Sequence, residues 1–199
     1  MTRKSGTQFC DKAMLKLLNW RMFLSIRRFR LIGTCYSARE AAELLKRSLD
    51  VSHVVWLPGS DVDVITDGHI DGIAKFVRPG VVLAEIARDP QQPEHRVLAE
   101  GLRAVELARD AHGRPFEIVT VSRPTEVRSD TPYVCDSYVN AYLANGAVIM
   151  PAFGDCPADD AAQAIFARCW PERSVVALDV DAICEGGGGI HCVTQQQPI

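Results

Sequence analysis

The chain has 199 residues, 47% of them hydrophobic and 24% charged, with a formal net charge of −3. That length suits one domain with a sizeable core, and the mildly acidic balance gives no expectation of nucleic acid as a partner. No apolar run reaches the roughly 20 residues that span a bilayer, so no membrane partner is expected, and seven cysteines without a CxxC pair point to free thiols in the reducing cytoplasm rather than a zinc ribbon or disulfide framework.

Residues 1–34 stand apart. Arg3, Lys4, Lys12, Lys16, Arg21, Arg27, Arg28 and Arg30 face a single acid there, Asp11. Such a stretch reads as an atypical basic extension, partly helical, with an organellar transit segment and a membrane-surface helix as the other readings. From Ser37 onward the signals sharpen. SARE is a capping box, Ser37 as N-cap with Glu40 at N3, opening a helix over AREAAELLKRSLD. HVVWLP (53–58) reads as a short buried strand, and GSDVDVITDGHIDG (59–72) as an acidic loop punctuated by glycine. IAKFV and VVLAEI flank RPG (78–80) as a hairpin, residues 94–111 carry helical spacing in Val97, Leu98, Leu102, Val105 and Leu107, and FEIVTV (116–121) reads as a strand.

After the loop SRPTEVRSDTPYVCD the same order returns. SYVNAYLA and AVIMP flank Asn145-Gly146, a strong two-residue hairpin signal. A helix over 158–169, ended by Trp170-Pro171, precedes the strand SVVALDV (174–180). Strand, strand, helix, strand, loop therefore occurs twice, starting near Ile73 and Ser137. The helix at 38–49 and the strand at 53–57 form the back half of an earlier copy. The expected fold is an α/β array of ββαβ repeats that lacks its beginning.

The repeat places TDGHID and EGGGGIHC in equivalent loops, each following the closing strand of a copy. In a propeller-like array such loops converge at one end, so His69, Asp71 and Cys192 are expected to meet despite their separation in sequence. A thiolate needs a partner that handles protons near neutral pH, and His69 fits. Asp71 can orient an imidazole or grip a guanidinium, whose fork of donors matches two carboxylate oxygens. Glycines such as Gly188 and Gly189 let the backbone approach a flat substrate while Cys192 faces its carbon. The same residues also have ordinary structural uses: a cysteine is often a small buried residue, His69 suits a hydrogen-bonded turn, and Gly68 and Gly72 suit tight turns. The glycine run also suits a phosphate-cradling nest, but no Lys-Ser/Thr follows it as a P-loop requires. His191 would point away from Cys192 in an extended segment and reads as structural.

TDGHIDGIAKFVRPG, SYVNAYLANGAVIMPAFGD and GGGGIHCVTQQQP resemble, in order and spacing, the agmatine deiminase family, which is related to peptidyl-arginine deiminase of Porphyromonas type. The resemblance covers about residues 35–199, which it marks as the C-terminal part of a deiminase catalytic domain. It implies a pentein-type α/β propeller of ββαβ units with its N-terminal blades missing. It implies Cys192 as nucleophile on a guanidinium carbon, His69 as the acid that protonates departing ammonia and then activates water, and Asp71 as a carboxylate pairing with the guanidinium nitrogens. Agmatine would give N-carbamoylputrescine and ammonia on a polyamine route to putrescine; a protein-arginine or free-arginine substrate, a Cys/His peptidase, and a non-catalytic remnant acting as an interaction partner are the alternatives. The resemblance implies no metal and no organic cofactor, a small guanidino substrate as partner, and leaves association into a homo-oligomer open. The chain departs from the family pattern at Gly72, Lys75, Ala152 and Gly189. The family's second guanidinium-binding aspartate and its EGG-type glutamate have no counterpart in residues 1–34.

Overall fold

Residues 22–26, 30–31, 34–35, 37–60, 68–131 and 133–197 are described in the computed structural model of the chain. Strands β1 (Met22–Ile26), β2 (Arg30–Leu31) and β3 (Thr34–Cys35) precede helix α1 (Ala38–Leu49) and strand β4 (Val54–Pro58). The first complete unit follows: β5 (Ala74–Arg78), β6 (Val81–Ile86), α2 (His95–Leu107) and β7 (Glu117–Ser122). The second consists of β8 (Tyr142–Ala144), β9 (Ala147–Ala152), α3 (Cys156–Cys169) and β10 (Ser174–Asp179), and a short helix α4 (Asp181–Cys184) leads out of it.

Each complete unit is a three-stranded sheet in which the opening pair is antiparallel and the closing strand returns parallel, ordered β5-β6-β7 and β8-β9-β10. Both hairpins turn on two residues whose glycine adopts a positive φ, 79° at Gly80 and 76° at Gly146. The back half anticipated before Ile73 also has a partner: β1 runs parallel to β4 with α1 as the crossover. Residues 22–26 are thus strand, where the basic composition suggested helix. The rest of that extension up to residue 21, and the acidic loop over 61–67, lie outside the described residues.

The helices repeat a packing relation. Helix α2 lies against β6 of its own sheet and β4 of the preceding unit, and α3 lies against β9 and β10 of its own sheet and β7 of the preceding one. Strand β6 consequently separates two cores and is buried on both faces, which explains its apolar run from Val81 to Ala84. Leu57, Ile73, Ala74, Val82, Leu98 and Val105 fill one core. Leu83, Val121, Tyr138, Phe153, Phe166 and Trp170 fill the other.

Local chemistry set several boundaries. The capping box at Ser37 is fully formed, with Ser37 Oγ accepting from Glu40 N and Glu40 accepting from Ser37 N at 2.8 Å. Helix α3 starts two residues before the expected 158, because Asp155 caps it by accepting from Ala158 N and Pro157 fits its first turn. Helix α2 stops at Leu107 rather than 111. Asp110 there accepts from the backbone N–H of His112 and Arg114, both at 2.8 Å, which favours a turn over further helix. Residues 138–140 form a turn, so the strand expected over SYVNAYLA shrinks to β8.

One carboxylate sits inside the second core. Glu85 is 1% exposed. Its Oε1 accepts from Tyr138 N at 2.9 Å, and its Oε2 has no hydrogen-bond partner among the described residues. Burial pushes this carboxyl up to about 8, with Arg123 opposing the shift. Arg123 is itself engaged by Asp136 and by Glu94 at 3.7 Å.

Candidate active site

Three turns from three parts of the chain meet. After Gly68, whose φ is 96°, His69 is extended and residues Ile70–Gly72 form a single 3₁₀ turn closed by Gly72 N to His69 O and Ile73 N to Ile70 O. Ser137 Oγ donates to Gly72 O at 3.2 Å and ties that turn to the second, over 137–140. The second turn is held from below by the Glu85 acceptor at Tyr138 N. The third comes from the glycine run. Helix α4 ends in bonds from Gly186 and Gly187 to Ile183 O and Cys184 O, Gly187 takes φ 82°, and His191–Val193 winds into another 3₁₀ turn.

Asp71 is where the first and third turns join. Its Oδ2 accepts from His191 Nδ1 at 2.9 Å and from Cys192 Sγ at 3.5 Å. A carboxylate can only accept, so the His191 proton sits on Nδ1. Oδ1 lies 4.0 Å from Nδ1 of His69, whose side chain is 63% exposed. Burial pushes the Asp71 carboxyl up, but the His191 hydrogen bond and charge, with smaller help from Cys192 and His69, more than offset it and hold it below the usual carboxylate range. Asn140, almost fully buried, serves the other side: its Nδ2 donates to Cys192 Sγ at 3.6 Å and its Oδ1 accepts from His191 N at 2.8 Å.

Of the residues expected from the sequence, Asp71 and Cys192 are in contact and His69 lies at the rim of the same cluster. His191 is the departure. The segment is wound, not extended, so alternation does not apply and the imidazole turns towards Asp71 instead of away. Asn140 and Glu85 had gone unmarked; the signal was a lone amide in SYVNAYLA and a lone acid in VVLAEI, each a polar group inside an apolar run. Lys75, one of the departures from the family pattern, is half-buried and stands where both Asp71 and Cys192 act on it.

The two glycines differ in what they permit. A Cβ at Gly188 would rest against Cys192 Cβ at 3.4 Å. A Cβ at Gly189 would fall 2.3 Å from Asn140 Oδ1 and 2.7 Å from its Cγ, which no side chain tolerates. Gly189→Ala is therefore expected to destabilise the fold by about 1–3 kcal/mol in urea denaturation. In an Asn140→Ala background the same change should cost far less, and an unchanged cost would disprove this account of the glycine.

Among the described residues, no group of three or more His, Cys, Asp or Glu side chains is arranged to hold a metal ion, and no helix is long and apolar enough to cross a membrane.

Comparison with known proteins places the chain. A Streptomyces avermitilis protein provisionally named agmatine deiminase is 46% identical over 156 residues, covering 75% of this chain and 45% of its own. Agmatine deiminase of Pseudomonas fluorescens is 36% identical over 180 residues, covering 81% and 49%. The chain spans about half the length of the curated relatives it matches. Its fold is that of the solved agmatine deiminase of Enterococcus faecalis, with a TM-score of 0.82 at 24% identity over 91% of this chain and 55% of that one. The model of Porphyromonas-type peptidyl-arginine deiminase matches residues 34–198, a span that takes in both complete ββαβ units and all three turns of the site, and the chain belongs to that family.

Proposed function

We propose that this chain carries the nucleophile and a guanidinium-binding carboxylate of a guanidine C–N hydrolase, with agmatine as the substrate and the ββαβ units as blades of a pentein-type propeller. The observation that carries the reading is the approach of Cys192 Sγ to within 3.5 Å of the Asp71 carboxylate, with imidazoles on both of its oxygens. Relatives named agmatine deiminase support the choice of substrate. In this reading residues 35–199 are the C-terminal part of the catalytic domain and residues 1–34 an atypical extension.

A guanidinium entering the site exchanges its N–H donors for those that His191 and Cys192 now give Asp71. Cys192 gives its thiol proton to His69, the thiolate attacks the guanidinium carbon, and the C=N electron pair moves onto nitrogen. His69, exposed at the rim, protonates one amino group, which leaves as ammonia and yields a covalent thiouronium. His69 then takes a proton from water as the oxygen attacks the same carbon. The C–S bond breaks, the thiolate is restored, and the ureido product departs after its hydroxyl proton passes to the ammonia. Overall, guanidinium and water become urea and ammonium. Asn140 donates to the sulfur throughout, and the backbone at Gly188, unobstructed by a Cβ, faces the same thiol.

Incubating the folded chain with agmatine, free arginine and an arginine peptide, and measuring ureido product and ammonia, tests the reading. Intact-mass detection of an adduct on Cys192, absent in Cys192→Ala, would assign the nucleophile. Whichever substrate is turned over names the class. Neither product nor adduct with any of the three would sink the proposal.

A further inference from the structure

Glu85 touches two of the three turns of the site at once. Its backbone N donates to Ile73 O at 2.9 Å, at the residue that closes the Asp71 turn. Its side chain crosses to the second turn, where Oε1 accepts from Tyr138 N at 2.9 Å. Ser137 Oγ bridges the same two turns through Gly72 O at 3.2 Å. Between them the two turns grip one sulfur: Cys192 Sγ lies 3.5 Å from Asp71 Oδ2 and 3.6 Å from Asn140 Nδ2. Asn140 Oδ1 also accepts from His191 N at 2.8 Å, so the third turn is seated on the second. An acid is a costly way to build such a contact. Glu85 is 1% exposed, and its Oε2 has no hydrogen-bond partner among the described residues. The donors near it are engaged elsewhere, Ser137 Oγ by Gly72 O and Arg123 by Asp136 and Glu94. A buried polar atom left unpaired is destabilising, and an apolar side chain would avoid that. What an apolar side chain cannot supply is an acceptor that reaches from β6 to Tyr138 N.

We propose that Glu85 is a positioning residue for Cys192: it sets the separation between the Asp71 and Asn140 turns and thereby holds the Asn140 amide against the sulfur. The resting thiol donates to Asp71. Once the thiol proton has left, the Asn140 N–H bonds to a sulfur anion, and a hydrogen bond to the charged form favours that form. Without the Glu85 acceptor the second turn is still tied to α3, because Tyr138 Oη donates to Asp159 at 2.8 Å. The turn therefore shifts and does not unfold. The Asp71 turn stays in place, since the bond to Ile73 O comes from the backbone of residue 85 whatever its side chain. Glu85 makes no contact with the sulfur and acts on it only through Asn140. Only the turnover readout of this role rests on the deiminase reading.

The rate of iodoacetamide alkylation at Cys192 tests this on the full chain, followed on its own peptide by mass spectrometry with no guanidine present. Glu85→Leu should slow it about tenfold, whereas Glu85→Gln, which keeps an acceptor for Tyr138 N, should stay within about twofold of wild type. Asn140→Ala should itself slow alkylation about tenfold, and adding Glu85→Leu to it should slow it by no more than about a further twofold. A general loosening of the fold predicts instead that the two effects multiply. Circular dichroism shows whether Glu85→Leu is folded. Where it is not, Glu85→Asp takes its place: the same carboxyl, drawn back by one methylene, should slow alkylation about fivefold. With agmatine, the substituted protein should lose about tenfold in kcat and keep KM within about twofold, because Asp71 has not moved. A wild-type alkylation rate in the folded variant would overturn the proposal. So would effects at Glu85 and Asn140 that multiply, or a raised KM with kcat unchanged. If none of the proteins turns agmatine over, the deiminase reading fails, and the alkylation rates alone decide the role of Glu85.

Discussion

Asp71→Asn is expected to lower ureido production from agmatine by about two to four decades. The carboxylate is the acceptor at which the candidate nucleophile Cys192, at 3.5 Å, and His191, at 2.9 Å, converge, and it is mostly buried. A guanidinium brought into such a place without its counter-charge forfeits about 3–5 kcal/mol, the cost of leaving one member of a desolvated ion pair alone, and 1.4 kcal/mol is a decade in rate. Asparagine preserves the volume, so the loss reports charge and not packing. It also presents an N–H₂ where His191 Nδ1–H now points, which rotates one of the two groups away. Steady-state measurement over a range of agmatine concentrations separates the components: pairing in the ground state raises KM, whereas a role only in the transition state lowers kcat. Activity within about tenfold of wild type in both would remove Asp71 from the proposed machinery.

Stability should fall as the solution becomes more alkaline, and Glu85 is the reason. Its folded-state carboxyl titrates at about 8 against an ordinary 4.5. Below 4.5 both folded and unfolded chains hold this proton and pH has no leverage. Between 4.5 and 8 the unfolded chain has released it and the folded chain has not, so each pH unit costs about 1.4 kcal/mol and the total reaches a few kcal/mol. Glu85→Gln retains an acceptor for Tyr138 N–H and cannot ionise, so its stability should run flatter with pH. The Asp71 carboxyl, held low, contributes in the opposite sense, as stability lost on acidification; being common to both proteins, it cancels in the comparison. Urea midpoints for the two proteins at pH 5, 6, 7 and 8 give the result, and parallel curves would exclude Glu85 as the source.

The sequence was most legible where a few neighbouring residues decide the outcome. Asn145-Gly146 specifies its hairpin by the φ that glycine supplies, and Ser37 with Glu40 specifies the start of α1, because both devices act within a turn. The meeting of Asp71 and Cys192 was legible at one remove, through the repeated order of elements, which assigned both loops to equivalent positions. What escaped was decided by distant or competing groups. His191 was misdirected because an extended backbone was assumed for a segment that the bonds of Cys192 and Thr194 to Gly189 and His191 wind into 3₁₀ geometry. Asn140 has meaning only once Gly189 has crossed over it. Strand β1 is recognisable through β4, its parallel partner across α1, and its basic surroundings concealed the strand period.

The bonds that complete the site join residues 120 and 121 positions apart, whereas every helix and hairpin closes over a handful. Forming them waits on both cores, because bringing such distant segments together is rewarded only when the units dock. In a refolding experiment the circular dichroism of the helices should return before the thiol of Cys192 acquires its native reactivity. The interval between the two signals measures docking alone. A substitution that loosens the seam between units would therefore silence the chemistry of a chain whose secondary structure is wholly intact.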